Sequence, residues 1–234
     1  MYLSLPAASI LHMDILIVGP AGSGKSLLTA SFGRYLEGEY SVRYVNLDPG
    51  IVDPPYKPDF DVRHLFTLED IMRESGLGPN GAMLEAIDRM ADLEIEVDAA
   101  DWVLIDSPGQ MEPFVFRETG PRLVERLGDP CCVYVVDATS PLGTLPSLYL
   151  YSLAAQYALG APAINVFNKI DLISGSRRAE LAEWIRNPRL EGSLQGGVRD
   201  EINAEVLGIL KRYLPSQEPC LVSAKTGEGF DHLF

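Results

Sequence analysis

The octapeptide GPAGSGKS at residues 19–26 has the spacing G-x-x-x-x-G-K-[ST]. It follows the apolar run MDILIV directly and opens a stretch, LLTASFGRYL, with helical apolar spacing. A strand that turns through glycines into a helix commits a chain to the βα unit of a parallel sheet. The same turn can hold an anion: successive backbone N–H groups close around it, and the helix N-terminus adds the positive end of its dipole. Ala21, Gly22, Ser23, Gly24, Lys25, Ser26 and Leu27 are therefore the expected phosphate-binding segment. Within it, Lys25 is expected to reach the β and γ phosphates and the Ser26 hydroxyl to ligate Mg2+. The strand and helix on either side weigh against an incidental glycine-rich turn.

The rest of the chain repeats the alternation. YSVRYVNLD, DWVLID, PCCVYVVDA, APAINVFNKID and PCLVSAKTG read as further strands, which makes six with the first. The segment DPGIVDPPYKPDFDVRHLF holds four prolines and reads as loop. Helices are expected at residues 67–75 and 81–93, across LPSLYLYSLAAQYALG, and across RDEINAEVLGILKRYL. The last-but-one of these reads as a core or dimer helix. Near-continuous Val/Ile/Leu strands separated by helices imply an α/β chain with a three-layer P-loop NTPase fold: a mostly parallel sheet covered by helices on both faces. Such sheets bind ligands at the carboxyl ends of their strands.

The 234-residue chain carries a net charge of −14, which argues against a nucleic-acid backbone as partner, since that affinity comes from Lys and Arg. Its three cysteines form no disulfide framework; Cys131 and Cys132 are adjacent in a strand and point to opposite faces. They read as buried apolar residues in a reducing, cytoplasmic compartment. No apolar run has the length of a membrane span, and residues 1–12, without a basic start, read as a short extension rather than a signal peptide.

Every other polar motif falls at a strand end. Asp106 closes DWVLID and is the expected metal-side carboxylate, acting through water. Gly109 can offer its N–H to a γ-phosphate, and Gln110 is placed to orient water. NKID supplies Asn168, Lys169 and Asp171. The Asp171 carboxylate can accept from both N1–H and the 2-amino group of guanine, two donors adenine does not present there. Asn168 would bridge base and loop, and the Lys169 stem would cover the ring. SAK at Ser223, Ala224 and Lys225 follows the next strand, with the Ala224 N–H directed at guanine O6. These motifs together select GTP, with GDP as product, over ATP.

At this point the chain resembles the GPN-loop GTPases, P-loop GTPases of the nucleotide-dependent dimer class. The resemblance rests on GPAGSGKS, NLDPG, PPYKPDFDVR, GPN, DSPGQME, NKID and SAK, in that order from residue 19 to 225. The phosphate loop and NKID are shared by many GTPases, whereas LDP, PYxPDxDVR, GPN and DSPGQxE are far more specific. Gly50 departs from the pattern, standing where the family more often has alanine. A nucleoside kinase has no use for NKID and SAK, and partition ATPases carry an extra lysine early in the phosphate loop that is missing here.

The resemblance implies one P-loop GTPase domain over residues 1–234, with an inserted helical segment at about 67–98 that carries Gly78, Pro79 and Asn80. It implies that Asp48 positions the attacking water, so that Asp48, Gln110, Asn80 and Lys25 form the catalytic set with Mg2+ bound by Ser26 and Asp106. It also implies a homodimer in which the GPN tripeptide projects toward the partner's γ-phosphate or released phosphate. Read without the family, the tripeptide is a turn in which Asn80 caps the following helix. The alternative function is a nucleotide-gated scaffold or assembly chaperone, tied to RNA polymerase or an assembly factor by the eukaryotic members, in which hydrolysis only resets the state.

Overall fold

Strand β1 (Met13–Val18) sends its side chains alternately into two apolar layers. Leu16 and Val18 enter one, Ile15 and Ile17 the other, all four buried. A strand apolar on both faces belongs at the centre of a covered sheet. The computed structural model, which describes residues 12–128, 130–189, 198–213 and 219–234, places it there.

From β1 the chain runs through α1 (Lys25–Leu36), β2 (Val42–Asn46), β3 (Phe60–Asp61), α2 (Leu68–Ser75), α3 (Pro79–Arg89) and β4 (Trp102–Asp106). It continues through α4 (Met111–Phe116), α5 (Thr119–Leu127), β5 (Cys131–Asp137), α6 (Leu145–Leu159), β6 (Ala163–Asn168), α7 (Gly175–Arg186), α8 (Val198–Tyr213), β7 (Cys220–Leu221) and α9 (Phe230–Leu233). The seven strands lie in the order β3-β2-β4-β1-β5-β6-β7, and every described pairing is parallel. One face is covered by α1 and α9 through Leu28, Phe32, Leu36 and Phe230. The other is covered by α3 to α8 through Met83, Phe114, Leu123, Tyr149, Trp184 and Leu210. This is the expected three-layer arrangement, with a sheet that is parallel throughout.

Three expectations need correction. Residues 60 and 61 form a seventh strand inside the proline-rich segment read as loop, pairing with Val45 and Asn46. Helix α3 begins at Pro79, not at residue 81. Its α-helical part ends at Arg89, followed by one 3-10 turn over Met90–Asp92. Its N-cap is Gly78, Pro79 takes the first helical position, and no side chain caps it, so Asn80 is not the cap. The extension expected at residues 1–12 lies outside the described residues except for His12, whose Nδ1 is 3.0 Å from Ala100 O.

The helical pair α2–α3 is built locally. Thr67 Oγ1 accepts from Asp70 N while Asp70 Oδ2 accepts from Thr67 N, a reciprocal capping box. The two helices pack on each other through Ile71, Ala82 and Ala86. Met83 and Ile87 join α3 to the main core, so the GPN tripeptide is carried on an anchored helix. Cys132 and Cys131 do face opposite layers, and burial pushes the Cys132 thiol up to about 12 and Cys220 up to about 11, well out of the reactive range. No helix among the described residues is long and apolar enough to cross a membrane.

Candidate functional site

The phosphate loop is held between two distant strands. Gly19 has φ 150°, and a Cβ there would lie 2.5 Å from Val135 O. Gly24 has φ 94°, and its Cβ would lie 2.5 Å from Asn168 Nδ2. Neither position admits a side chain, which is why both are glycine. Helix α1 makes its first helical bond from Leu28 N to Gly24 O, which leaves the amides of Lys25, Ser26 and Leu27 without helical partners. Ala21 and Gly22 are exposed at the loop's crest, while Ser23 is buried and its Oγ has no partner among the described residues. The Lys25 ammonium is buried and donates to Gly19 O at 2.9 Å and Pro20 O at 3.2 Å. Burial pulls its pKa down, opposed by the charges of Asp106, Asp48 and Glu112. A desolvated cation among carboxylates at a helix N-terminus suits a polyanion.

Asp106 sits fully buried at the end of β4, beside Ile17 on one side and Asn46 on the other. Burial pushes its carboxyl up to about 6, although the Ser26 and Tyr56 hydroxyls and the Lys25 charge all favour the ionised form. Tyr56 Oη donates to Asp106 Oδ2 at 2.9 Å. Burial and the Asp106 charge drive the Tyr56 phenol far upward, so it remains a donor. Asp106 Oδ1 has no partner among the described residues. An orphaned carboxylate oxygen near a serine hydroxyl is a hard, oxygen-only donor set that fits Mg2+, which takes few protein ligands and completes its shell with water and phosphate. The described residues contain no group of three or more His, Cys, Asp or Glu side chains that could hold a metal ion.

Asp48 follows β2 and is fixed at both carboxylate oxygens. Oδ1 accepts from Gly50 N at 2.9 Å, and Oδ2 accepts from Gly109 N at 2.7 Å. Its own N–H donates to Asn46 Oδ1 at 3.0 Å. Asn46 Nδ2 in turn donates to Asp61 Oδ1 at 2.9 Å, and Asp61 is gripped by the Arg63 guanidinium, with 2.6 Å between Asp61 Oδ2 and Nη2. Arg63 also donates to Ile51 O and Val52 O. The PDFDVR stretch therefore acts as a scaffold for the Asp48 loop, a purpose the motif alone does not disclose. Burial raises the Asp61 carboxyl, but the hydrogen bonds from Arg63 and Asn46 outweigh it and hold the pKa below the usual range. Gln110 Nε2 lies 3.4 Å from Asn80 Oδ1, so the GPN tripeptide meets Gln110 of its own chain.

The NKID and SAK motifs converge at the ends of β6 and β7. Asn168 Nδ2 donates to Ser23 O at 3.0 Å, and its Oδ1 accepts from Lys169 N at 2.8 Å and Ala224 N at 2.9 Å. The Ala224 N–H expected at guanine O6 is thus given to Asn168 here. Ser223 Oγ donates to Asp171 Oδ1 at 2.7 Å, fixing the carboxylate, while Lys225 is exposed. Lys169 stands at φ 71°, and its ammonium donates to Gly22 O and Asp137 Oδ2, both at 2.6 Å. Burial acts to raise Asp137, yet its bonds from Lys169 and Thr139 hold it below the ordinary carboxylate range.

The expected residues of the strand-end motifs lie at the carboxyl ends of β1, β2, β4, β6 and β7 or in the segments that follow them, and Asn80 meets Gln110. Three contributors were not anticipated: Tyr56, Asp137 and the Asn46–Asp61–Arg63 chain. Asp137 had a readable sign, a strand-end aspartate with a threonine two residues on in VVDATS.

Comparison with known proteins agrees with this geometry. Residues 17–234 match a family model described as a conserved hypothetical ATP-binding protein. The GPN-loop GTPase PAB0955 of Pyrococcus abyssi is 39% identical over 94% of this chain and 94% of its own length. A GPN-loop GTPase 1 of Dictyostelium discoideum is 28% identical over 95% of this chain but only 60% of its own length. The crystal structure of the Pyrococcus protein, described as a GTPase in apo form, superposes with a TM-score of 0.79 at 37% identity, covering 94% of each chain. With a matching family model across nearly its whole length and this degree of identity to a full-length relative, the chain belongs to the GPN-loop GTPase family.

Proposed function

We propose that the protein is a Mg2+-dependent enzyme that hydrolyses GTP to GDP and phosphate, working as a homodimer with each GPN loop turned toward the partner's phosphate site. The observation that carries this reading is the placement of Asp48. Its carboxylate is fixed by Gly50 and by Gly109, next to Gln110, at the strand ends that also bear Lys25 and Asp106.

Phosphoryl transfer asks a protein for positioning and charge stabilisation more than covalent chemistry. The amides of residues 21–27 and the Lys25 ammonium bind the β and γ phosphates. A γ-phosphate oxygen competes with Asp48 for the Gly109 N–H. When it wins, Asp48 Oδ2 is released to accept from a water that Gln110 also orients, in line with the γ-phosphorus. That water's oxygen bonds to phosphorus, the bond to the β-γ bridging oxygen breaks, and the proton leaves with the phosphate product. The Ser26 hydroxyl and, through water, Asp106 would hold Mg2+, which would supply charge neutralisation on the phosphate oxygens.

Guanine selection rests on Asp171, already oriented by Ser223, although the matching family model is described as ATP-binding. The trans role of the GPN loop is supported by the exposure of Gly78, Pro79 and Asn80 and of the flanking Leu77 and Leu84, each 40% exposed. Phosphate release from GTP with and without Mg2+, beside ATP under the same conditions, tests the chemistry. GTP turnover that needs Mg2+ and is absent with ATP supports the reading, and equal use of both nucleotides refutes it. Light scattering with a non-hydrolysable GTP analogue tests the dimer.

A further inference from the structure

Tyr56 belongs to none of the groups that bind phosphate, base or water, yet it reaches the centre of the site. It lies on the segment between β2 and β3, flanked by Pro54, Pro55 and Pro58, whose fixed φ angles stiffen the strap. Its ring stacks on Tyr44 with centroids 5.3 Å apart and planes 20° from parallel. Tyr44 is itself pinned: its hydroxyl donates to Glu37 Oε1 at 2.8 Å, and its N–H donates to Asp59 Oδ2 at 2.9 Å. The phenol is thus held by a rigid strap and an anchored ring, and its one hydrogen bond among the described residues is the 2.9 Å bond to Asp106 Oδ2.

A carboxylate with one oxygen bound by a fixed donor cannot turn about its terminal torsion without breaking that bond. The other oxygen then points in one direction only. Asp106 Oδ1 is that oxygen, buried and without a protein partner among the described residues. Buried acceptors left unpaired are rare and costly, and one held so by a dedicated donor is aimed at a ligand. We propose that Tyr56 is a positioning residue that orients Asp106 so that Oδ1 faces the magnesium hydration shell, setting how tightly the protein retains metal-bound nucleotide. The proposal deepens the GTPase reading and rests on its assignment of Ser26 and Asp106 to the metal.

The test reads metal dependence of nucleotide retention in the full chain. A fluorescent GDP is loaded, and its dissociation rate is followed across a Mg2+ titration for wild type, Tyr56→Phe and Tyr56→Leu, with melting temperatures measured alongside. Tyr56→Phe keeps the ring on Tyr44 and removes only the hydroxyl. The expected result is a Mg2+ midpoint raised about tenfold or more, the usual effect of losing an outer-shell partner of a ligand. The dissociation rate in EDTA should stay at the wild-type value while the melting temperature falls by a few degrees as the buried Asp106 Oδ2 loses its donor, and Tyr56→Leu should shift the midpoint to a similar degree. A wild-type midpoint in Tyr56→Phe, or a shift seen only in Tyr56→Leu, would overturn the proposal in favour of simple packing. Failure of Mg2+ to slow dissociation in the wild type would instead refute the metal assignment itself.

Discussion

The Gly109 N–H donates to Asp48 Oδ2 at 2.7 Å, tying the loop after β2 to the loop after β4 across 61 residues of sequence. Each partner is the group its own loop would offer to the reaction, the amide to the γ-phosphate and the carboxylate to water. While they hold each other, neither is available. A Cβ on Gly109 would lie 3.1 Å from Asp48 Oδ2, so the approach also depends on glycine. In the proposed mechanism an arriving γ-phosphate competes with Asp48 for this one N–H.

Asn80 separates catalysis from folding. It is exposed at the second position of α3, makes no cap bond, and its one side-chain hydrogen bond among the described residues is a 3.4 Å approach to Gln110. Asn80→Ala should lower GTP turnover about tenfold or more, while changing stability by no more than about 0.5 kcal/mol, as for other exposed positions. Phosphate release and urea denaturation on the same preparation check this. Lost stability with unchanged turnover would make the tripeptide a helix start and nothing more.

Asp61 gives the fold a pH-dependent tie. Its carboxyl is held below the unfolded value by Arg63 and Asn46 despite burial. A depressed carboxylate contributes stability above its unfolded pKa of 3.8, and that contribution is lost as pH falls through the lower folded pKa. Asp61→Asn should therefore destabilise the protein by about 2–3 kcal/mol at pH 7, the scale of breaking a largely buried ion pair. Thermal melts from pH 7 to pH 3 should show the gap between variant and wild type closing below about pH 4.

The proposed choice of guanine rests on Asp171. GTP at about 100 times its dissociation constant should add roughly 2.7 kcal/mol of stability, and ATP at the same concentration much less. Asp171→Ala should remove the difference between the two nucleotides, and Ser223→Ala should reduce it by releasing Asp171 Oδ1. Thermal shift with each nucleotide is the measurement, and equal shifts in the wild type would undo the guanine assignment.

What the sequence disclosed follows the range of the interactions concerned. The phosphate loop, the apolar strands and NKID are local patterns, and each lies where its spacing placed it. Strand β3 escaped notice because two residues among prolines carry no periodicity; only the neighbouring Val45 and Asn46 make them a strand. Asparagine is a favoured cap, which points to Asn80, but Pro79 at the first helical position moves the cap two residues back to Gly78. Tyr56 and Asp137 were missed because their partners, Asp106 and Lys169, lie 50 and 32 residues away and no short motif joins them.

The most direct test of the account is single-turnover phosphate release from GTP-loaded protein, comparing wild type with Asp48→Asn. Asparagine retains a carbonyl that can accept from Gly109 N–H but cannot carry the charge that orients and polarises water. The account predicts a rate at least about 100-fold lower with GTP affinity within about threefold of wild type, the scale of losing a positioned acid–base group. A variant that releases phosphate at the wild-type rate would contradict it.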